Sequence, residues 1–519
     1  MVKIQKFLRT PQGIGLVSAL CCGVVTHGFA LVNVLHNYDN ILQQPKGLGV
    51  GILFGRWLLS ALGDFNDVVF DLNYNLPLVN GLAFLLFIAL SAAVLIDVLK
   101  IKRTGCAILV GCLMATFPTV GATMAFRYTA PYYGLALLLA VLAAWEADRK
   151  RCWGWLLSAL LLTLSMGLYQ AYPPVTISLF VLVLMRDALD EQAQLKPLIF
   201  RGLRYCASLL LAVAAYFVML KVVMAAYSSH LTVSLQDYQG VSTMGQISLR
   251  ELPFLIKQAW LSAVLFPVHD YCSLTSTTQM KLVWTLLVGT TLVLGIYLLL
   301  HRRPKPLLGA FFVVMGLVFP LAVNFIMVMC PDSVIYTIMV YSFVLVGCAP
   351  LMLLELLPKP HKGFVRTICT LAALVVFYNG YYTNFNYMKL YYANRQVENY
   401  LSGLVAQIRM TPGYTPEKTW AFLGDLDDPK MYELWYEEPT YGGIIGCSAE
   451  GLMNAGHSKT TWFDNYIGYG VGFAPQEQCQ MLAEDPAVKQ MPTWPSAGSI
   501  QVVGEYVVVK FQDLTALPK

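Results

Sequence analysis

Residues 153–186 read WGWLLSALLLTLSMGLYQAYPPVTISLFVLVLMR. One helical crossing of a bilayer takes about 20 apolar residues, so this run is too long for a single upright span and short for two. Gln170 and the Pro173-Pro174 pair interrupt it, and a proline inside a helix both removes a donor and clashes with the preceding turn. Two readings compete: two short helices meeting on one side of the membrane, or one long tilted span. The choice sets the orientation of everything downstream.

Charge decides it. Further apolar runs lie at 14–35, 76–99, 105–126, 130–146, 203–226, 281–300, 307–329, 335–357 and 363–383. With 153–169 and 173–186 as separate spans the total is about eleven. If the N-terminus is cytoplasmic, the inner loops then collect Lys3/Lys6/Arg9, Lys100/Lys102/Arg103, Arg149/Lys150/Arg151, Arg186/Lys196/Arg201/Arg204, Arg302/Arg303/Lys305 and Lys359/Lys362/Arg366. Those are 19 positive charges, against seven on or near the outer side before the tail: Lys46, Arg56, Arg127, Lys221, Arg250, Lys257 and Lys281. Every inner loop obeys the positive-inside bias; a single span through 153–186 would invert the later ones. The sequence therefore predicts a polytopic α-helical membrane protein of about eleven spans, carrying a small C-terminal α/β domain outside the cytoplasm.

Composition agrees. Apolar residues make up 57% of the chain and charged residues 13%, with a mean hydropathy of +0.59. That excludes a disordered regulator, a nucleic-acid partner and a fully soluble enzyme of this size. The formal charge of +5 divides unevenly: residues 1–383 hold 26 Lys/Arg against 15 Asp/Glu, and residues 384–519 hold 9 against 15. We read 1–383 as the membrane body and 384–519 as the outer domain. The first apolar run follows a basic segment but is too long for a signal peptide and lacks a small-x-small cleavage site, so it reads as an uncut first helix. The 12 cysteines form no CxxC pair, which suggests no metal framework. Cys447 and Cys479 in the tail are either a disulfide or two buried thiols. The absence of any Asn-x-Ser/Thr in a chain with large outer regions favours a bacterial source.

In the tail, Tyr387, Leu390, Tyr391, Val397, Leu401, Leu404, Val405 and Ile408 share one helical face. TWAFLG at 419–424 reads as a strand ending at the acidic turn Asp425–Pro429, a solvated loop or a cation site. IQVV and YVVVKF flank Gly504-Glu505 as a hairpin.

Two outer loops, 36–75 and 227–280, exceed what a connection needs, and long loops in a compact architecture usually carry function. Each contains an apolar helix-like stretch, 48–63 and 251–266, suited to the interface plane. The outer face gathers Asp39, Arg56, Asp64, Asp67, Asp71, Arg127, Lys221, Asp237, Arg250, Lys257, His269 and Asp270. A carboxylate just beyond the first helix can take a proton from a sugar hydroxyl, and arginine or lysine can hold a phosphate. The bland alternative for the acids is a solvated membrane rim, and for Arg127 an ion pair with a nearby Asp. Tyr169, Gln170 and Tyr172 close the short helix pair and are either sugar contacts or part of an interfacial tyrosine belt. His269-Asp270 is an acid/base pair or a capped loop, and Trp57 reads as an interfacial anchor.

The segment Asn37-Tyr38-Asp39-Asn40, followed by Gly55-Arg56-Trp57, is similar to the start of bacterial serotype-converting O-antigen glucosyltransferases. Tyr169-Gln170-Ala171-Tyr172 resembles the same family. These short motifs cover about a dozen residues, while the overall plan matches nearly the whole chain. The resemblance implies a membrane glycosyltransferase of the GT-C class. It implies a polyprenyl-phosphate-linked hexose as donor, a cell-surface glycan such as O-antigen as acceptor, and a site on the outer face of the bacterial cytoplasmic membrane. The chemistry is consistent with this, because an activated sugar outside the cytoplasm must arrive on a lipid and leave a phosphate anion behind. Asp39 is then the general base of an inverting displacement. Arg56, Arg127, Lys221, Arg250 and Lys257 are the candidate donor-phosphate ligands. Tyr38, Asp67, Tyr128, Tyr169, Gln170, Tyr172, Asp237 and His269 are the candidate sugar or acceptor contacts. Where the family pattern carries a second acid this chain has Asn40, so no resident cofactor is assigned, and a divalent cation (Mg or Mn) stays open.

Two other classes compete with this one. A lipid-linked sugar flippase predicts midplane charges and internal repeats, and the sequence has neither. An O-antigen ligase usually carries its large outer domain between helices, whereas here it follows the last one. A phosphotransferase needs a metal-binding cluster in the tail, where His457 is the sole histidine.

Overall fold

The computed structural model of the chain describes residues 2–37, 51–70, 76–149, 151–228, 248, 250–358, 360–425 and 461–513. In order these form α1 (Val2–Leu8), α2 (Pro11–Val32), α3 (Trp57–Phe70), α4 (Pro77–Val98), α5 (Thr104–Thr116), α6 (Pro118–Met124), α7 (Ala130–Asp148) and α8 (Gly154–Leu168). There follow α9 (Pro173–Ala188), α10 (Leu195–Ser228), α11 (Leu252–Leu265), α12 (Thr278–Arg302), α13 (Pro306–Val323), α14 (Ile326–Met329), α15 (Val344–Glu355) and α16 (Lys362–Arg409). The C-terminal part adds β1 (Thr419–Leu423), α17 (Gln476–Glu484), α18 (Pro486–Gln490), β2 (Ile500–Val503) and β3 (Tyr506–Lys510).

The 153–186 run is two helices. α8 ends where Tyr169 turns extended (φ −157°, ψ 119°), and α9 begins on Pro173, in the first turn where a missing N–H is tolerated. The same logic splits 105–126 into α5 and α6, because Phe117 precedes Pro118 and is pushed to ψ 139°. Among the described residues, eight helical segments are long and apolar enough to cross a bilayer. The three other predicted spans correspond to α8, α9 and α15, of 15, 16 and 12 residues. α16 differs from expectation. Hydropathy predicts a span ending at 383 and a separate tail helix from 386, but one helix of 48 residues covers both. Its sequence contains no proline, so nothing stops the backbone ladder where apolar residues give way to polar ones.

Chain contacts divide the described residues into two units, 2–34 with 51–385, and 35–37 with 386–425 and 461–513. In the first, α2 packs on α4 and α5, α4 on α7, and α7 on α8 and α9. Small residues allow this close approach: Ala136, Ala140, Ala143 and Ala144 of α7 are buried, and a side chain on Gly111 would strike the Gly15 carbonyl. Hydroxyls supply the polar ties. Ser165 donates to the Ala136 carbonyl at 2.7 Å, Thr176 to Ala140 at 2.8 Å and Thr163 to Ala212 at 3.1 Å.

At the Arg186 end of the same unit the charges pair with one another. Arg186, 4% exposed, meets Asp187 at 2.6 Å and Asp148 at 3.6 Å and donates to the Val98 carbonyl. Arg201 reaches the same two carboxylates.

In the second unit β3 is central, parallel to β1 and antiparallel to β2. Both the TWAFLG strand and the hairpin around Gly504 (φ +59°) form as read. Ala421, Leu423, Leu482, Val488, Met491 and Val508 make the core beneath the sheet. Of the eight residues assigned to one face of α16, seven are buried and Tyr391 is half-buried. Cys447 and His457 lie outside the described residues, as do Asp427 and Asp428 of the acidic turn.

Candidate active site

The motif at 55–57 and the motif at 169–172 meet. Residues 51–55 form a tight turn closed by Gly55 N–H to the Ile52 carbonyl (2.9 Å) and Arg56 N–H to the Gly51 carbonyl (2.8 Å). Gly55 adopts φ +72°, a conformation glycine takes without steric cost. The turn is held from outside. Gln170, at the corner between α8 and α9, donates its amide to the Phe54 carbonyl at 2.7 Å and to the Tyr216 hydroxyl at 3.1 Å. Tyr216, on α10, donates in turn to the Gly55 carbonyl at 2.9 Å. Both carbonyls preceding Arg56 are thus fixed by side chains from other helices.

Arg56 then projects onto tyrosines. One guanidinium N–H donates to the Tyr133 hydroxyl at 2.8 Å, and the guanidinium carbon lies 5.1 Å from the Tyr169 ring centroid. Tyr133 and Tyr169 stack at 4.2 Å, Tyr172 meets Tyr169 edge-on at 5.5 Å, and Tyr341 continues the tier at 6.3 Å from Tyr172. All four tyrosines are buried, so Tyr169 and Tyr172 are not part of an exposed interfacial belt. Trp57 is no surface anchor either. It is 6% exposed, and its ring packs so tightly on Gly167 that a Cβ there would sit 2.7 Å from it.

Arg127 is 1% exposed and donates to the Asn33 carbonyl at the end of α2 at 3.0 Å. The Asn80 amide donates to the Arg127 carbonyl at 3.4 Å, which ties α4 to this corner. Beside it Tyr128 is half-buried, and Asn66 donates to the Tyr132 hydroxyl.

Other candidates fall elsewhere. Lys221, Arg250, Lys257 and His269 are exposed, and among the described residues none bonds to the Arg56 group. Asp270 accepts the Thr275 N–H at 2.9 Å, the capped-loop alternative for His269-Asp270. Tyr38, Asp39, Asn40, Asp71 and Asp237 lie outside the described residues, and so does the side chain of Asp67. Among the described residues no three carboxylate, imidazole or thiol groups are placed to hold a metal ion.

A family model described as glucosyl transferase GtrII matches residues 28–347. The chain belongs to the GtrII glucosyl transferase family. The match covers both converging motifs and runs from within α2 into α15. No curated protein and no solved structure matches the chain. Membership makes this a membrane glucosyl transferase whose Arg56 corner sits inside the family region.

Sequence reasoning missed Tyr133, Tyr216 and Tyr341. Nothing in the sequence ranks these three above the rest of the chain's 29 tyrosines. A weak signal existed for Tyr216, a phenol in the middle of a long apolar helix that requires a polar partner when buried.

Proposed function

We propose that this GtrII-family protein moves a hexose, glucose by family, from a polyprenyl-phosphate donor to a cell-surface glycan at the outer face of the cytoplasmic membrane. The observation that supports this is the cationic corner: Arg56, clamped by Gln170 and Tyr216 through its own backbone and set over Tyr169 by Tyr133. A guanidinium held in one orientation by a hydroxyl and an aromatic face is suited to an anionic leaving group, since its donors form a rigid fork.

In this reading Asp39 takes the proton of the acceptor hydroxyl. The freed oxygen attacks the anomeric carbon, and the carbon–oxygen bond to phosphate breaks, leaving its electron pair on the polyprenyl phosphate. Arg56, half-buried, stabilises that developing charge, with the buried Arg127 as the second cation. One displacement inverts the anomeric centre, and only one carboxylate near the reacting hydroxyl is needed. The charge asymmetry of the loops supports placing the C-terminal unit outside, and a divalent cation remains compatible with the scheme.

Membranes incubated with radiolabelled polyprenyl-phosphate-glucose and sugar analogues test the donor directly. Transfer to glycan is expected, and Asp39→Asn is expected to abolish it at normal expression. Full activity of Asp39→Asn would remove the base. The same assay with EDTA decides the cation.

A further inference from the structure

A second cavity system lies at the end of α9 away from the tyrosine tier, with roughly 21 Å of helix between Tyr172 and Arg186. There the ends of α4, α9, α12 and α15 enclose a polar cavity of about 470 Å³, lined by four cations and four carboxylates. The cations are Lys100, Lys102, Arg186 and Arg302. Their donors are not all used by protein. Arg186 is 4% exposed; its Nε meets Asp187 at 2.6 Å and Nη1 donates to the Val98 carbonyl. Its Nη2 makes no hydrogen bond among the described residues and has Asp148 at 3.6 Å. Arg302 pairs with Glu191 at 3.1 Å and donates to the Leu356 carbonyl, while its buried Nε makes no hydrogen bond. Lys102 is exposed and has no ion pair among the described residues. Buried donors are ordinarily satisfied, so two unsatisfied ones at one cavity point to an acceptor from outside the chain. Of the carboxylates, Asp187 is held by Arg186, Arg201 and Lys100, and Glu355 accepts the Arg103 N–H at 2.9 Å. Asp190 and Glu191 stand exposed at the edge.

Against this cavity lies an apolar one of about 360 Å³, between α9, α11, α12, α13 and α15. Both volumes fall within the ~300–1,000 Å³ typical of small-molecule sites. Three helices carry one cavity into the other. Met352 of α15 lines both, Met185 precedes Arg186 on α9, and Leu299 sits one turn before Arg302 on α12. The apolar lining runs along α12 from Val288 to Leu299, about 16 Å of helix. Both α12 and α13 are long and apolar enough to cross a bilayer, so this lining belongs at hydrocarbon depth. Gly295 keeps it open: a Cβ there would meet nothing closer than 4.0 Å.

We propose that the joined cavities bind one phospholipid with a phosphoethanolamine headgroup. Its phosphate is held by Lys102, Arg186 and Arg302, its ammonium by Asp190 and Glu191, and an acyl chain lies along α12 past Gly295. A polar chamber continuous with an apolar one matches an amphiphile, and lipid is the amphiphile that surrounds these helices. A soluble phosphate would leave the apolar chamber uncovered, and a plain hydrocarbon would leave the guanidinium donors unpaired. The equal numbers of cations and carboxylates match a zwitterion better than an anionic headgroup. Basic pockets between helix ends are a recurrent form of lipid headgroup site. The bound lipid ties together the ends of α9, α12 and α15, independently of the transfer chemistry proposed above.

The test uses the full-length purified protein, stripped of lipid in detergent. Dioleoyl phosphatidylethanolamine, phosphatidylcholine, phosphatidylglycerol and free phosphoethanolamine are added separately, with adducts followed by native mass spectrometry and unfolding temperature read alongside. Phosphatidylethanolamine is expected to leave a single retained adduct, to raise the unfolding temperature, and to bind about tenfold more tightly than the other lipids, the effect of one hydrogen-bonded charge contact. Lys102→Glu should weaken that adduct about tenfold by reversing one headgroup contact. Gly295→Leu fills the apolar chamber and should weaken it about tenfold or more, by displacing buried methylenes. Should Gly295→Leu not fold, Thr291→Phe narrows the same chamber from the same helix and is expected to act alike. Equal retention of the three lipids, tighter binding of phosphatidylglycerol, or free phosphoethanolamine binding as tightly as the lipid overturns the inference. So does an adduct that survives either the Lys102 change or the chamber-filling change, since such a lipid sits in the surrounding belt.

Discussion

The guanidinium of Arg56 lies over the ring of Tyr169, 5.1 Å from its centroid, although 113 residues separate the two in sequence. The contact joins the Gly55-Arg56-Trp57 and Tyr169–Tyr172 motifs. It also gives each a physical role: the tyrosine supplies a polarisable face, and the arginine a charge whose direction the Tyr133 hydroxyl fixes.

Replacing Arg56 with lysine keeps the charge but loses the fork and the planar stacking. Hydrogen bonds to charged groups contribute roughly 1.5–3 kcal/mol, so Arg56→Lys should lower kcat/KM for sugar transfer by about tenfold to a hundredfold. Tyr133→Phe keeps the ring stack and loses one bond, and a smaller loss is expected. Equal activity of all three proteins would show that this corner does not contact the donor.

The Trp57–Gly167 contact predicts a stability defect that can be repaired. A methyl at position 167 would sit 2.7 Å from the indole and 3.1 Å from Leu58 Cβ, and Trp57 is too buried to swing aside. Overpacking of this kind costs about 1–3 kcal/mol, so Gly167→Ala should unfold at lower temperature in detergent. Adding Trp57→Phe makes room, and the double variant should regain part of the loss. Additive destabilisation would show that the two residues are not packed as described.

Much of this was legible beforehand, for identifiable reasons. The break at 169–172 announced itself through Gln170 and Pro173-Pro174, because helices stop for local reasons. The tail strands were equally plain, since β-branched runs and Gly504 are local too. The continuity of α16 was hidden because hydropathy changes at the bilayer edge while backbone hydrogen bonding does not. The Asn394 side chain bonds the backbone of His36, 358 positions away, and no local pattern encodes such a pair. Trp57 was misread for a related reason: its role depends on a glycine 110 residues away.

The ion pairs around Arg186 predict an asymmetry between single and paired changes. Removing one member of a buried charge network strands the others, at a cost of about 3–5 kcal/mol, whereas replacing charges together by apolar groups is often neutral. Arg186→Met should therefore sharply reduce the yield of folded protein. Arg186→Met combined with Asp187→Leu should recover much of it, read as the monodisperse fraction on size exclusion. No recovery would mean that Asp148 and Arg201 depend on Asp187 more than on Arg186.

The Gln170–Tyr216 bond couples stability to chemistry. Gln170 is 8% exposed and Tyr216 fully buried, and together they hold the Phe54 and Gly55 carbonyls that precede Arg56. Gln170→Leu leaves two buried acceptors without their donor, which costs about 1–3 kcal/mol. Tyr216→Phe removes one hydroxyl and should cost less. Both changes release the same turn, so their effects on transfer should overlap rather than add, the signature of residues acting through a shared element. The double variant should transfer sugar at nearly the rate of Gln170→Leu alone. If the losses multiply instead, the turn is not the common route, and each side chain acts on the donor separately.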